Sequence, residues 1–228
     1  MSIELSDEIR NRRFTAPLRA EDMKYYTEHF ALAVLRYCFD EYDSLTVCDA
    51  PDLQAADKSI GIEVTEIAIN NNMAIVGDCL HYWKTGDKRY REKAEQRGAT
   101  PGESYYILPS VDSDDELSAI ENIFAKKLRK LNSYRRKGFR KLGLVMVMDG
   151  LPIPVTEMYW SDIVRDVQAE SPEKYDIVFF AYSSALSVYD CLTGKTEFFE
   201  ISPADMEAIG KYARCRAEEL ITELRGHI

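Results

Sequence analysis

Asp49-Ala50-Pro51-Asp52-Leu53, followed by Ser59-Ile60-Gly61-Ile62-Glu63-Val64-Thr65-Glu66, is the stretch on which the reading of this chain turns. It places one carboxylate after a proline and two more at the end of a β-branched run. Side chains alternate along a strand, so Ile60, Ile62 and Val64 point one way and Gly61, Glu63 and Thr65 the other. Leu45 to Cys48 reads as a strand that runs into Asp49–Asp52, and Ala56-Asp57-Lys58-Ser59 suits a tight connection between the two strands. If Asp52 and Glu63 meet over neighbouring strand ends, they make a seat for a hard divalent cation. Mg2+ or Mn2+ takes oxygen ligands and keeps several waters, so few carboxylates suffice. The backbone carbonyl of Val64 would add a further oxygen. Such an ion offsets charge in phosphodiester cleavage and lowers the pKa of a bound water.

The surrounding pattern alternates helix and strand. Glu21 to Tyr42 is helical, with Phe30, Val34, Tyr37 and Cys38 at three-and-four steps. Residues 68–82 are ambiguous between helix and irregular cap. Trp83 to Glu103 is polar and carries Gly86, Gly98, Pro101 and Gly102, which reads as an insertion or mobile loop, with a substrate-contacting lid over Trp83 to Arg97 as its functional version. Tyr105 to Leu108 suggests a short strand. Asp112 to Tyr134 is the clearest helix, acidic in its first turn and basic in its last, as the helix dipole favours. Leu142 to Met148 is a buried strand ending at the turn signal Asp149-Gly150. A helix over Tyr159–Glu170, a strand over Asp176–Tyr182 and a hairpin around Thr193-Gly194-Lys195 follow. A final helix over Pro203–Gly226 has Ser202 as cap and Pro203 at its first position.

The 228 residues are 46% hydrophobic and 30% charged, enough for one full core and typical of a globular chain. A single domain over 1–228 is expected, with a core at about 21–150, an insertion at 68–111 and an elaboration at 151–228. No apolar run approaches the ~18–20 residues that span a bilayer, and Met1 to Arg13 lacks the apolar core of a secretory signal. The five cysteines form no CxxC pair and point to reduced thiols in a cytoplasmic protein. His29, His81 and His227 show no zinc spacing. There is no Walker loop, GxGxxG, HExxH or nucleophile elbow.

On these residues the chain resembles the PD-(D/E)XK nuclease superfamily, whose pattern is a helix, a strand reaching Pro-Asp, a strand carrying Glu-x-Lys, then a helix and another strand. Pro51-Asp52, Glu63-Val64-Thr65, the helix from Asp112 and the Leu142–Met148 strand carry the likeness, over roughly residues 21 to 150. The resemblance implies a mixed α+β, restriction-endonuclease-like fold with a central mixed sheet flanked by helices. It implies metal ligation by Asp52 and Glu63, a magnesium- or manganese-dependent hydrolase acting on DNA ahead of RNA, and a bacterial or phage setting. The chain departs from the pattern at Thr65, where the superfamily has its lysine. Thr65 could orient a water through its hydroxyl but cannot act as a base at neutral pH. Some members carry the lysine on the following helix.

Lys127 is the candidate for that migrated role. Ile120, Phe124, Leu131 and Tyr134 form an apolar stripe, and Lys127 sits inside it. A buried ammonium needs a partner, and the acids on the sheet would supply one. Lys130, one turn on, is the fallback, and Glu66 is a secondary acid projecting to the opposite face of its strand.

Formal net charge is −10, which argues against a protein that coats nucleic acid. The charge is uneven, however: Lys126 to Lys141 holds nine basic residues and no acid. Lys126, Arg129, Lys130, Arg135, Arg136 and Lys137 are therefore candidates for salt-dependent phosphate contacts. The rival reading is a catalytically inactive module of the same fold, a homodimer or a binder of protein partners, consistent with the acidic charge and with Thr65.

Overall fold

Burial on both faces makes the centre of the sheet. In Lys141–Met148, Leu142, Leu144, Met146 and Met148 pack to one side and Val145 and Val147 to the other, so one apolar run serves two cores. The computed structural model describes residues 7–14, 18–67, 72–101, 106–107, 113–148, 154–182 and 184–226. In chain order its helices are α1 (Asp7–Asn11), α2 (Met23–Cys38), α3 (Asn72–Thr85), α4 (Lys88–Gln96), α5 (Ser113–Leu128), α6 (Leu131–Arg136), α7 (Pro154–Ala169) and α8 (Pro203–Gly226). Its strands are β1 (Thr46–Val47), β2 (Leu53–Gln54), β3 (Ile60–Ile67), β4 (Thr100–Pro101), β5 (Tyr106–Ile107), β6 (Lys141–Met148), β7 (Ile177–Tyr182), β8 (Ala185–Asp190) and β9 (Lys195–Glu200).

The fold is mixed α/β, a seven-stranded mixed sheet flanked by helices. Its order is β1-β2-β3-β6-β7-β8-β9, and β4 pairs with β5 apart from it. The outer pairs are antiparallel, whereas β3–β6 and β6–β7 are parallel. Parallel neighbours need crossover segments: α3 to α6 lie between β3 and β6 in the chain, and α7 lies between β6 and β7. One core gathers Phe30, Leu32, Val34 and Leu35 of α2 with Ile209 and Ala213 of α8 against Ile62, Val64 and Phe179. The other gathers Ile120, Phe124, Leu131, Tyr134, Trp160 and Val164 against Leu144, Met146 and Phe180. No described helix is long and apolar enough to cross a membrane.

Four local differences from the sequence reading have physical causes. The chain before Asp52 does not run straight to it: β1 ends at Val47, and Leu53–Gln54 turns back as a separate strand, with Leu53 opposite both Val47 and Ile62. Asp52 thus immediately precedes β2, and its backbone carbonyl accepts from Cys48 N at 2.8 Å, closing the tight loop between them. Residues 88–96 are helical rather than a loop: Asp87 caps α4 by accepting from Arg89 N, and Ala94 packs with Ile75, Cys79 and Ala99 in a small core of their own. The helix expected over 112–134 is two helices, parted at Arg129–Lys130, where Lys130 N bonds back to Lys127 O in a single tight turn. The helix expected from Tyr159 begins at Pro154, whose missing N–H costs nothing in a first turn. Asp112 and the Asp149-Gly150 turn lie outside the described residues.

Gly61 decides how the Pro51-Asp52 loop sits on the sheet. A Cβ there would come within 2.6 Å of Pro51 Cγ and 2.8 Å of Phe139 Cδ1. We expect Gly61→Ala to lower stability by about 1–3 kcal/mol through overpacking, and to displace Asp52 with its loop. Urea denaturation checks the first part, and a loss at Gly61 no larger than at an exposed glycine with open space around it, such as Gly226, would refute it.

Candidate functional site

β2 is two residues long, so it stops covering the edge of β3 after Ile62. The next backbone groups on that edge are left for side chains. Val64 N donates to Asp52 Oδ2 at 2.7 Å, and Val64 O accepts from Lys127 Nζ at 3.0 Å. A cleft of about 410 Å³ opens at this edge. It takes Lys24, Thr27 and Glu28 from α2, Asp49 and Asp52 from the β1–β2 loop, Glu63 to Glu66 from β3, and Lys127, Lys130 and Tyr134 from the opposite layer. Five carboxylates there face three ammoniums, an excess of negative charge suited to a cation.

Glu63 is the centre of the arrangement. It is 2% exposed. Its Oε1 accepts from Lys127 Nζ at 2.7 Å and Lys130 Nζ at 2.8 Å, and its Oε2 accepts from the Tyr134 hydroxyl. Burial pushes its pKa up, but the Lys127, Lys130 and Tyr134 hydrogen bonds together outweigh that and hold it below the ordinary 4.5. Tyr134 moves the other way: burial first, then its bond to Glu63, raises the phenol well above 10, so it stays a donor. Asp52 is buried too, and burial first, then the Glu63 charge, raises its carboxyl above 3.8, against the Val64 N–H and Lys127. Adjacent acids pushed in opposite directions are a recurrent mark of functional sites.

Of the residues singled out in the sequence, Asp52, Glu63, Val64, Thr65, Glu66, Lys127 and Lys130 all line this one cleft. Thr65 is half-buried and Glu66 exposed. Two members of the basic run make contacts within the fold. Arg135 binds Asp176 at 2.9 Å and the Lys174 and Arg140 carbonyls, clamping the strand starts of β6 and β7. Lys137 Nζ donates to Ala50 O at 2.8 Å, tethering the loop that carries Asp52. Lys126, Arg129 and Arg136 are exposed.

Glu28 was not foreseen. It is 4% exposed, and its Oε1 accepts no hydrogen bond, with Lys24 Nζ 3.4 Å away as its ion partner. Burial, then the charge of Asp52, lifts its pKa to about 7 against the pull of Lys24. Its signal in sequence is slight: an acid four residues after Lys24 whose next turn holds Ala31 and Leu32, both buried.

Among the described residues no three acidic, histidine or cysteine side chains form a ready-made metal cage. Magnesium needs less, being bound through one or two carboxylates plus waters and substrate phosphate. The Asp52 and Glu63 carboxylates and the Val64 carbonyl are hard donors that fit such an ion, and Glu28, held by Lys24 alone through a long ion pair, lines the same cleft. No family model matches the chain, and no curated protein or solved structure matches it either.

A raised carboxyl pKa means that the folded state binds the proton more tightly than the unfolded state does. The stability linked to Glu28 is therefore complete below about 4.5 and is lost as pH rises through about 7. In chelator, Glu28→Gln should melt above the wild type at about pH 8, with the gap closing as pH falls toward 4.5. Thermal melts across that range check this, and a gap independent of pH would contradict it.

Proposed function

We propose that the protein is a nuclease-like hydrolase of phosphodiester bonds, dependent on Mg2+ or Mn2+, with DNA as substrate ahead of RNA. The observation that carries the reading is the convergence of Glu28, Asp52, Glu63, the Val64 carbonyl and Lys127 on one cleft at the open edge of β3. The order of parts supports it: α2, the antiparallel run β1-β2-β3, then α5 and the parallel strand β6. This resembles the PD-(D/E)XK pattern, with the lysine delivered by α5 instead of by the strand.

Asp52 and Glu63 would hold the ion, with Val64 O as a further donor and Glu28 lining the same cleft. Bound there, the cation supplies positive charge against an anionic transition state and lowers the pKa of a water. Glu63 is kept in orientation by Tyr134. Lys127 brings an ammonium to the same place, a donor for a phosphate oxygen or the attacking water. Lys130, 49% exposed, and Lys24, 61% exposed, stand on either side of the cleft and can meet the flanking phosphates of a strand.

One observation favours the second reading, a catalytically inactive module. Both oxygens of Glu63 already accept hydrogen bonds, so its ion pairs are complete without any ligand. Cleavage of single- and double-stranded DNA, with RNA in parallel, separates the two in the presence of Mn2+ or Mg2+. We expect Asp52→Ala and Glu63→Ala to lower the rate by at least about 100-fold, and Lys127→Met by roughly 100- to 1,000-fold, the cost of removing one aimed donor. Equal residual cleavage in wild type and all three variants would leave the inactive module as the answer.

A further inference from the structure

We infer that the Lys127 ammonium occupies the cation's place in the cleft and competes with it, so that a lysine of this chain sets how tightly the divalent ion is held. The inference rests on the metal reading given above. A single Nζ lies 2.7 Å from Glu63 Oε1 and 3.0 Å from Val64 O. These are two of the oxygens that the cleft offers to an ion. An ammonium has three donors and one charge, and here it satisfies the carboxylate and the carbonyl together. A magnesium ion would need those oxygens at about 2.0–2.1 Å, so ion and ammonium cannot both bridge them. Their charges also repel at that range.

Position assigns the role to Lys127 and not to its neighbour. Lys130 touches Glu63 Oε1 alone, and its side chain is 49% exposed, so it can turn into water at little cost. The Lys127 side chain is 15% exposed, and the residues three before and four after it, Phe124 and Leu131, are buried in the core. When it leaves Glu63 it stays within the cleft. Tyr134 bonds the other carboxylate oxygen and is buried, so Glu63 keeps its direction while Oε1 changes partner. The lysine thus protects a buried carboxylate in the free protein and is released by the ion beside any phosphate that the cleft receives.

The test is calorimetric titration of MnCl2 into metal-free full-length protein: wild type, Lys127→Met, Lys130→Met and Glu63→Gln. Methionine keeps the length of the side chain and removes its charge. Lys127→Met should bind Mn2+ about ten-fold tighter than wild type or better. Lys130→Met should stay within about three-fold of wild type, and Glu63→Gln should lose binding. Affinity in Lys127→Met equal to wild type, or weaker, overturns the inference and leaves the metal site standing. No Mn2+ binding by any of the four overturns both. Wild-type protein gives a second readout that no misfolding can confuse: saturating Mg2+ should shift the Lys127 Nζ resonance, and an unmoved resonance in protein that binds the ion overturns the competition.

Discussion

A carboxylate held charged in a protein interior must be compensated, and the burial of Glu63 is the constraint around which this site is organised. Its three partners come from the α5–α6 layer: Lys127 near the end of α5, Lys130 in the turn and Tyr134 on α6. Stripping such a group of its counter-charges typically costs about 3–5 kcal/mol, because a buried charge is left unpaired. Glu63 therefore fastens β3 to two helices. The break at Arg129–Lys130 lets a lysine in the turn and a tyrosine of the next helix reach the same carboxylate.

The second constraint is the shortness of β2. A longer partner would have covered the edge of β3 with backbone hydrogen bonds. Instead Asp52 takes the Val64 N–H and Lys127 takes the Val64 carbonyl. Satisfying those two backbone groups draws an acid and a lysine to one point. On the far side of the cleft Glu28 is the less satisfied part, buried with one oxygen whose partner is the long 3.4 Å ion pair to Lys24. The cleft is closed at Glu63 by internal cations and open at Glu28. A charge-rich pocket half-satisfied in this way is costly unless something binds there.

Strand β3 is legible in the sequence from the alternation of Ile60, Ile62 and Val64 with Gly61, Glu63 and Thr65, and β6 from an unbroken apolar run of strand length. Helix α8 is legible because Ser202 and Pro203 mark its start, with Ser202 Oγ accepting from Asp205 N. Lys127 could be found as a charge inside an apolar stripe, since such a residue must have a partner. Glu28 could not be found the same way: it borders a helix face whose polar and apolar residues mix, and the Asp52 loop that shares its cleft is distant in the chain. Strand β2 escaped because two residues carry no period. Helix α4 escaped because its polarity masks the one residue, Ala94, that packs inward. The fates of Arg135 and Lys137 were equally hidden, because their partners, Asp176 and the Ala50 carbonyl, are distant in the chain.

The most direct test of the account is a crystal of the protein soaked in manganese and measured for anomalous scattering. The account predicts a peak bounded by Asp52, Glu63 and the Val64 carbonyl, with the Lys127 ammonium moved off Glu63 Oε1. A map without a peak there, with Lys127 still bridging Glu63 and Val64, would contradict it.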